Sequence, residues 1–332
     1  MAQSDLISST GATAARRVGR GELPCRVGRW ELDYLAAEGG LARVYRARPV
    51  GTPADRPASY ALKMLRPQWQ DDPRAVGLLQ REALVGRGVS HPHLVSILQA
   101  SLNQPPRFVV MPWLDGSTLQ WAVDSGQWAG SREQSAVHQS SIINHQSSIP
   151  RCLRMAPVDL PVALWMARQV VEALEALHAA GWMHGDVKPG NVFVSPEGHV
   201  TLLDLGFARR RDETGSAVDR LLTGTCNYMA PELITSALRA DIRSDVYSLG
   251  VVLFELLAGR LPFTGESLAE LATKHRQSRP PNLRRLAPHL PQAVVELVQQ
   301  MLAKDPLRRP QTPRELIDRL VGLEIATFSE RA

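Results

Sequence analysis

Three side chains at fixed spacing in the middle of the chain could together move a phosphoryl group. They are Asp186, Lys188 and Asn191, in the run Met183-His184-Gly185-Asp186-Val187-Lys188-Pro189-Gly190-Asn191-Val192. A carboxylate at 186 can take a proton from a hydroxyl, Lys188 can face developing phosphoryl charge, and Asn191 offers a carbonyl oxygen to a hard metal ion. The same residue types also make an ordinary polar turn, since Asp, Gly, Pro and Asn are all common there. What separates the two readings is whether the rest of the chain brings further charged groups to this loop.

Several elements do. A helix over about Leu160 to Gly181, opened by Pro161 and carrying Ala167, Val170, Val171, Leu174 and Leu177 at helical spacing, delivers the chain into the loop. Beyond it, Val192–Val194 and His199–Leu203 read as a hairpin turning at Pro196-Glu197-Gly198. Its second strand ends at Asp204-Leu205-Gly206 and places a second carboxylate beside the first. Upstream, Trp30 to Ala47 reads as two strands around the turn Ala37-Glu38-Gly39-Gly40-Leu41-Ala42, where backbone N–H groups can approach phosphates. Tyr60-Ala61-Leu62-Lys63-Met64-Leu65 is an apolar strand broken by one lysine, and a buried lysine needs an anionic partner. The helix opened by Asp72 and Pro73 carries Val76, Leu79, Glu82 and Ala83 on one face, which makes Glu82 that partner.

Leu94–Ala100 and Arg107–Met111 read as a hairpin, and Met111 to Gly116 as the exit into a second lobe. There Ser244 to Leu257 is apolar all round and hence buried, and further helices fall around 267–274, 291–303 and 312–323. Residues from about 126 to 157 are rich in Ser, Gln and His and repeat His-Gln-Ser-Ser-Ile at 138 and 145. They read as an inserted low-complexity loop rather than a metal site, because no Cys or acid stands at ligand spacing.

With 332 residues, 44% of them apolar, the chain can bury one large domain or two lobes. It has no apolar run of membrane-spanning length and no secretory signal, so a cytoplasmic protein is expected. Cys25, Cys152 and Cys226 are odd in number and far apart, which points to reduced thiols. The net charge of +5 is no sign of nucleic-acid binding: +3 of it lies in residues 1–29, in Arg16, Arg17, Arg20, Arg26 and Arg29 against Asp5 and Glu22. That segment reads as a solvated arm.

The ordered set Tyr-Ala-Leu-Lys63, Glu82, His184-Gly185-Asp186 with Lys188 and Asn191, Asp204-Leu205-Gly206, Ala230-Pro231-Glu232, Ser244 to Gly250 and Asp305 to Pro310 resembles the protein kinase family. The match runs from Trp30 to about Leu323 apart from the insertion. The phrasing Thr223-Gly224-Thr225 with Tyr228-Met229-Ala230-Pro231-Glu232 is similar to the eukaryotic-like serine/threonine kinases of bacteria. The resemblance implies an α+β, bilobal protein-kinase fold. Residues 30–111 would form a small, mainly β lobe with one key helix and 112–323 a larger, mainly α lobe, flanked by tails at 1–29 and 324–332. It implies Mg²⁺, or Mn²⁺ in its place, and ATP, with protein Ser and Thr hydroxyls as acceptors.

Carried over by position, Lys63 would hold the α- and β-phosphates and pair with Glu82, Asn191 and Asp204 would bind the metal, and Asp186, with Lys188, would serve the acceptor hydroxyl. Ala37, Gly39, Gly40, Val44 and Ala61 would surround the nucleotide. Met111 would be the gatekeeper and Pro112, Trp113 and Leu114 the adenine hinge, where proline keeps its carbonyl. Glu232 and Arg309 match a buried ion pair, and Asp245 the acid beneath the catalytic loop.

Two departures stand out. The phosphate loop reads Ala37-x-Gly39-x-x-Ala42 where the family has three glycines, and alanine in a glycine-like conformation costs on the order of 1 kcal/mol, so weakened nucleotide affinity is expected. Gly185 stands where many regulated kinases carry an arginine that pairs with a phosphorylated activation segment, so control through Thr214, Ser216 or Thr223 is not expected; Thr225 is a case apart, because the family uses it in the catalytic loop. Two other readings stay open: a non-enzymatic pseudokinase scaffold, suggested by the altered loop, and a small-molecule kinase of the aminoglycoside or choline type, suggested by His-Gly-Asp. The latter group lacks the Ala-Pro-Glu segment and the Ser244 to Gly250 helix.

Overall fold

Trp30, Leu32, Tyr34 and Ala36 are buried in alternation with more exposed neighbours, the period of a strand with one face on a core. The structure, a computed structural model, describes residues 26–53, 55–124, 141–142, 158–210, 213, 226–235 and 241–329. The small lobe is an antiparallel sheet in the order β1-β2-β3-β4-β6-β5, built from Arg26–Val27, Trp30–Glu38, Ala42–Pro49, Tyr60–Leu65, Phe108–Pro112 (β6) and Gln99–Ser101 (β5). Helix α1, Pro73–Gly88, begins where the Asp72 carboxylate accepts the N–H groups of Arg74 and Ala75 at 3.0 and 2.9 Å. It packs Ala75, Leu79 and Ala83 against Leu65, Ile97 and Val109, which fixes its distance from the sheet. Past Ser117–Thr118 (β7) and α2, Leu119–Asp124, the pair Ser141–Ile142 (β8) lies along β2 opposite Glu38 and Ala37. The remainder of the expected insertion lies outside the described residues.

The larger lobe is built on α3, Leu160–Ala179, which reaches the short strands Trp182–Met183 (β9), Val192–Val194 (β10), Val200–Leu202 (β11) and Arg209–Arg210 (β12). Next come α4, Pro231–Thr235, and α5, Ile242–Ala258, which the Asp241 carboxylate caps through Arg243 N–H at 2.9 Å. Helix α5 is buried along nearly its whole length and runs through the middle of the lobe. Helices α6 (Leu268–Gln277), α7 (Leu283–Leu286), α8 (Gln292–Met301) and α9 (Pro313–Ser329) complete it. The lobes meet beside the hinge through a parallel bridge between Leu94 and Leu202, with Leu202 N–H on His93 O at 2.9 Å and Val95 N–H on Leu202 O at 3.0 Å.

Three boundaries differ from the sequence reading. The sheet starts at Arg26 rather than 30, because Gly28, at φ 57°, closes a hairpin that pairs Val27 with Trp30. Residues 94–98 are irregular, and the strand facing β6 is only Gln99–Ser101, since Leu94 and Val95 are committed to Leu202 instead. The last helix does not stop at Leu323 but runs to Ser329, where Glu324 accepts Arg168 Nε at 2.9 Å and ties it to α3. Periodicity alone fades before that turn.

One buried group makes the large lobe sensitive to acid. His275 on α6 is fully buried, with Nδ1 2.9 Å from the Tyr247 hydroxyl, which in turn accepts Lys304 Nζ at 3.3 Å. Burial, and then the Lys304 charge, lower its pKa to about 4. An unfolded histidine protonates near 6.5, so between those values the unfolded chain holds the extra proton and stability rises with pH. Acidification across that window should cost on the order of 3 kcal/mol through this residue. Urea melts at a series of pH values should show the slope, and His275→Gln should flatten it; parallel slopes in the two proteins would exclude His275 as its origin.

Candidate active site

Lys63 ties three elements together. On β4 its Nζ lies 2.7 Å from Glu82 Oε2 on α1 and 3.1 Å from Asp204 Oδ1 after β11. The Glu82 carboxyl is pushed up to about 7 by burial, against the pull of Lys63. Burial acts against the Lys63 charge, but Asp204 and Glu82 outweigh it and keep the ammonium protonated. Burial likewise opposes ionisation of Asp204, yet Lys63 and Lys188 hold it at about 2, a firm carboxylate. Asp204 is the one non-glycine residue at positive φ (60°) among the described residues, and its side chain accepts Gly206 N–H at 3.4 Å. A Cβ on Gly206 would stand 3.2 Å from Leu78 O, so this turn rests on the backbone of α1. Arg81, beside Glu82, donates to Ala208 O at 3.2 Å and meets Glu213 Oε2 at 2.5 Å.

The loop after β9 is supported from beneath. Asp245 on α5 accepts His184 N–H and Gly185 N–H, each at 2.7 Å. Gly185 has φ 79°, a conformation that glycine takes at no steric cost. Both ring nitrogens of His184 are engaged, Nδ1 by Asp186 N–H at 3.1 Å and Nε2 with Leu203 O at 2.9 Å, so the loop and the residue before Asp204 share one buried imidazole. Asp186 is buried too. Its Oδ2 meets Lys188 Nζ and Asn191 Nδ2, both at 2.9 Å, and Asn191 Nδ2 also reaches Asp186 O at 2.8 Å. Asp186 Oδ1 is buried and has no hydrogen-bond partner among the described residues.

The positions expected to face the nucleotide share one face of the sheet by register. Val44 lies opposite both Lys63 and Ala37, and Ala61 lies opposite Met111, so Ala37, Val44, Ala61, Lys63 and Met111 point the same way. Pro112 ends β6, and Trp113 N–H bonds Ser59 O at 3.0 Å. The Trp113 ring is taken by Tyr34, Arg46 and Asp115, and Leu114 follows it outside any strand. The strain expected at the alanines does not arise. Ala37 and Ala42 lie in or at the ends of β2 and β3 with ordinary φ, and neither Gly39 nor Gly40 has positive φ. What distinguishes the turn is its attachment. Trp69 Nε1 and Arg66 Nη1 donate to Gly40 O and Gly39 O, contacts that the sequence reading missed. The signal for them was a tryptophan in a polar connector, whose indole N–H needs an acceptor when half-buried.

Thr214, Ser216, Thr223 and Thr225 lie outside the described residues. Among those described, Cys226 is a free, half-buried thiol. No helix among them is long and apolar enough to cross a membrane.

The donor set suits a hard cation. With Asn191 Nδ2 given to Asp186, its amide oxygen is available, and Asp204 is firmly ionised. No group of three or more His, Cys, Asp or Glu side chains able to hold a metal by themselves occurs among the described residues. One carboxylate and one amide oxygen, completed by phosphate oxygens and water, is how Mg²⁺ is commonly held.

Comparison with known proteins agrees with this geometry. Residues 37–319 match the protein kinase domain family. The chain is 30% identical over 277 residues to a probable serine/threonine-protein kinase, PknB, of Lactococcus lactis, covering 83% of this chain and 39% of that protein. It is 29% identical over 289 residues to serine/threonine-protein kinase PrkC of Bacillus subtilis, covering 87% and 39%. Against serine/threonine-protein kinase PknA of Mycobacterium tuberculosis the identity is 32% over 289 residues, covering 85% and 58%. The chain thus spans between 39% and 58% of the length of these relatives.

Proposed function

Because the chain belongs to the protein kinase family, among the eukaryotic-like serine/threonine kinases of bacteria, we propose that it transfers the γ-phosphoryl group of Mg-ATP to Ser and Thr hydroxyls of protein substrates. The observation that carries this reading is the double contact of Lys63 with Glu82 and Asp204, which draws β4, α1 and the turn after β11 together around one cation. Mg-ATP, when bound, supplies the transferable phosphoryl group. Lys63 would hold the α- and β-phosphate oxygens, and Asn191 Oδ1 and the Asp204 carboxylate would hold the metal. Asp186 Oδ1 would accept the acceptor hydroxyl's proton, while Lys188, 2.9 Å from Oδ2, keeps that carboxylate oriented and offers a positive charge to the reacting oxygens. Ala61, Val44 and Met111 would line the adenine pocket, and Pro112 O would take the adenine amino group.

Nothing favours the scaffold reading, since the phosphate turn carries no backbone strain. Use of ATP and a free thiol at Cys226 suit a cytoplasmic location. Transfer of labelled phosphate from ATP to a generic protein acceptor, set beside Asp186→Asn, tests the reading.

Catalysis by this site does not need a phosphorylated activation segment. The Glu213 carboxylate already occupies Arg81, and residue 185 brings no arginine to hold a phosphate. Thr214→Ala, Ser216→Ala and Thr223→Ala should each keep turnover within about threefold of the parent, the effect of a substitution that removes no catalytic contact. A tenfold or greater loss in any of them would reinstate the switch.

A further inference from the structure

The connector between β4 and α1 takes no part in the chemistry above, yet it touches the phosphate turn at three consecutive residues. Arg66 N–H donates to Leu41 O at 2.9 Å, Arg66 Nη1 to Gly39 O at 3.4 Å, and Trp69 Nε1 to Gly40 O at 2.9 Å. Every carbonyl at the tip is therefore drawn toward the connector. A trans peptide sets its N–H opposite its C=O, so the N–H groups of Gly40, Leu41 and Ala42, which share those three peptide planes, are turned to the other side.

Little else holds them there. Two successive glycines leave the turn many conformations, and a Cβ built on Gly40 meets nothing within 4 Å. Gly39 N–H closes the turn onto Ala42 O at 2.8 Å. Glu38 is occupied by Arg43 at 2.9 Å and Arg66 at 3.6 Å, which offsets an acid that would otherwise repel an anion at the lip of the turn. The Trp69 ring is anchored in turn against the apolar cluster of Leu65 and Leu79.

We propose that Arg66 and Trp69 are positioning residues for the nucleotide: they hold the phosphate turn so that its N–H groups are preset for polyphosphate. In this chain the connector confers order that the glycine pair alone does not. The proposal rests on the kinase reading above.

Trp69→Phe keeps the ring and deletes the donor, and Arg66→Met keeps the aliphatic stem and the backbone N–H. With the full chain and Mg-ATP as probe, Trp69→Phe should raise both the ATP dissociation constant and the KM for ATP about fivefold, the effect of one hydrogen bond, and Arg66→Met, which also frees Glu38, by at least as much. Turnover at saturating ATP, the KM for the protein acceptor and the melting temperature should stay at parent values. A purely structural role would instead lower the melting temperature and the active fraction while leaving the KM for ATP alone, and that result would overturn the proposal. So would an unchanged KM for ATP in Trp69→Phe when the parent transfers phosphate. A parent that neither binds ATP nor transfers phosphate would overturn the kinase reading and this proposal together.

Discussion

Asp186→Asn should lower turnover by about 10²–10⁴-fold while leaving ATP affinity near the parent value, because it removes a proton acceptor and little else. Asparagine has the same shape as aspartate, so an oxygen at the Oδ2 position can still accept Asn191 Nδ2, now at 2.9 Å, and Asp245 still grips the loop through two N–H groups. What goes is the charge beside Lys188 and the capacity of Oδ1, an oxygen with no partner among the described residues, to receive a proton. Initial rates on a protein acceptor at saturating Mg-ATP, with nucleotide titration alongside, separate the two effects. Transfer within tenfold of the parent would remove Asp186 from the chemistry. Retained ATP binding with no transfer by the parent itself would point to a scaffold.

Glu232→Ala should destabilise the large lobe by about 3–5 kcal/mol, the largest stability effect expected of any single residue here. Glu232 and Arg309 are almost wholly buried and paired through both guanidinium arms, at 2.6 and 2.9 Å. Ser244 Oγ adds a bond to Glu232 at 2.7 Å, and the carbonyls of Ala303 and Arg243 take further Arg309 donors at 2.8 Å each. Removing the carboxylate leaves a buried cation whose other hydrogen-bond acceptors are neutral carbonyls. The double variant Glu232→Leu with Arg309→Met should lose less than either charge deletion alone, since no unpaired ion remains. Chemical denaturation of the three proteins reads this directly; a loss below about 1 kcal/mol in Glu232→Ala would show that water reaches the site.

The charged framework was legible because its members obey strong rules. A lysine in an apolar strand requires an anion, and Glu82 stands on the one face of α1 that can meet it. The carboxylate after β11 was legible from the hairpin that delivers it. Gly185 was only half legible: the sequence marks a missing arginine, whereas the backbone shows a residue at φ 79° that glycine takes without strain. The alanines of the phosphate turn misled as to backbone strain, because a cost was assigned to a conformation they do not adopt. Arg66 and Trp69 were missed: an indole in a polar connector signals only that some acceptor is needed, and no pattern of side-chain types tells that it is a main-chain carbonyl some thirty residues away. The pairing of Ser141–Ile142 with β2 was hidden for the same reason.

Helix α1 and the turn after Asp204 are fastened at three places: through Lys63, where Gly206 leans on Leu78 O, and where Arg81 holds Ala208 O. They behave mechanically as one latch. A small molecule that works by swinging the helix outward must open the whole latch at once, whereas one that fills the proposed adenine pocket leaves it shut. Inhibitors of the second kind should therefore find this protein an easier target than those of the first.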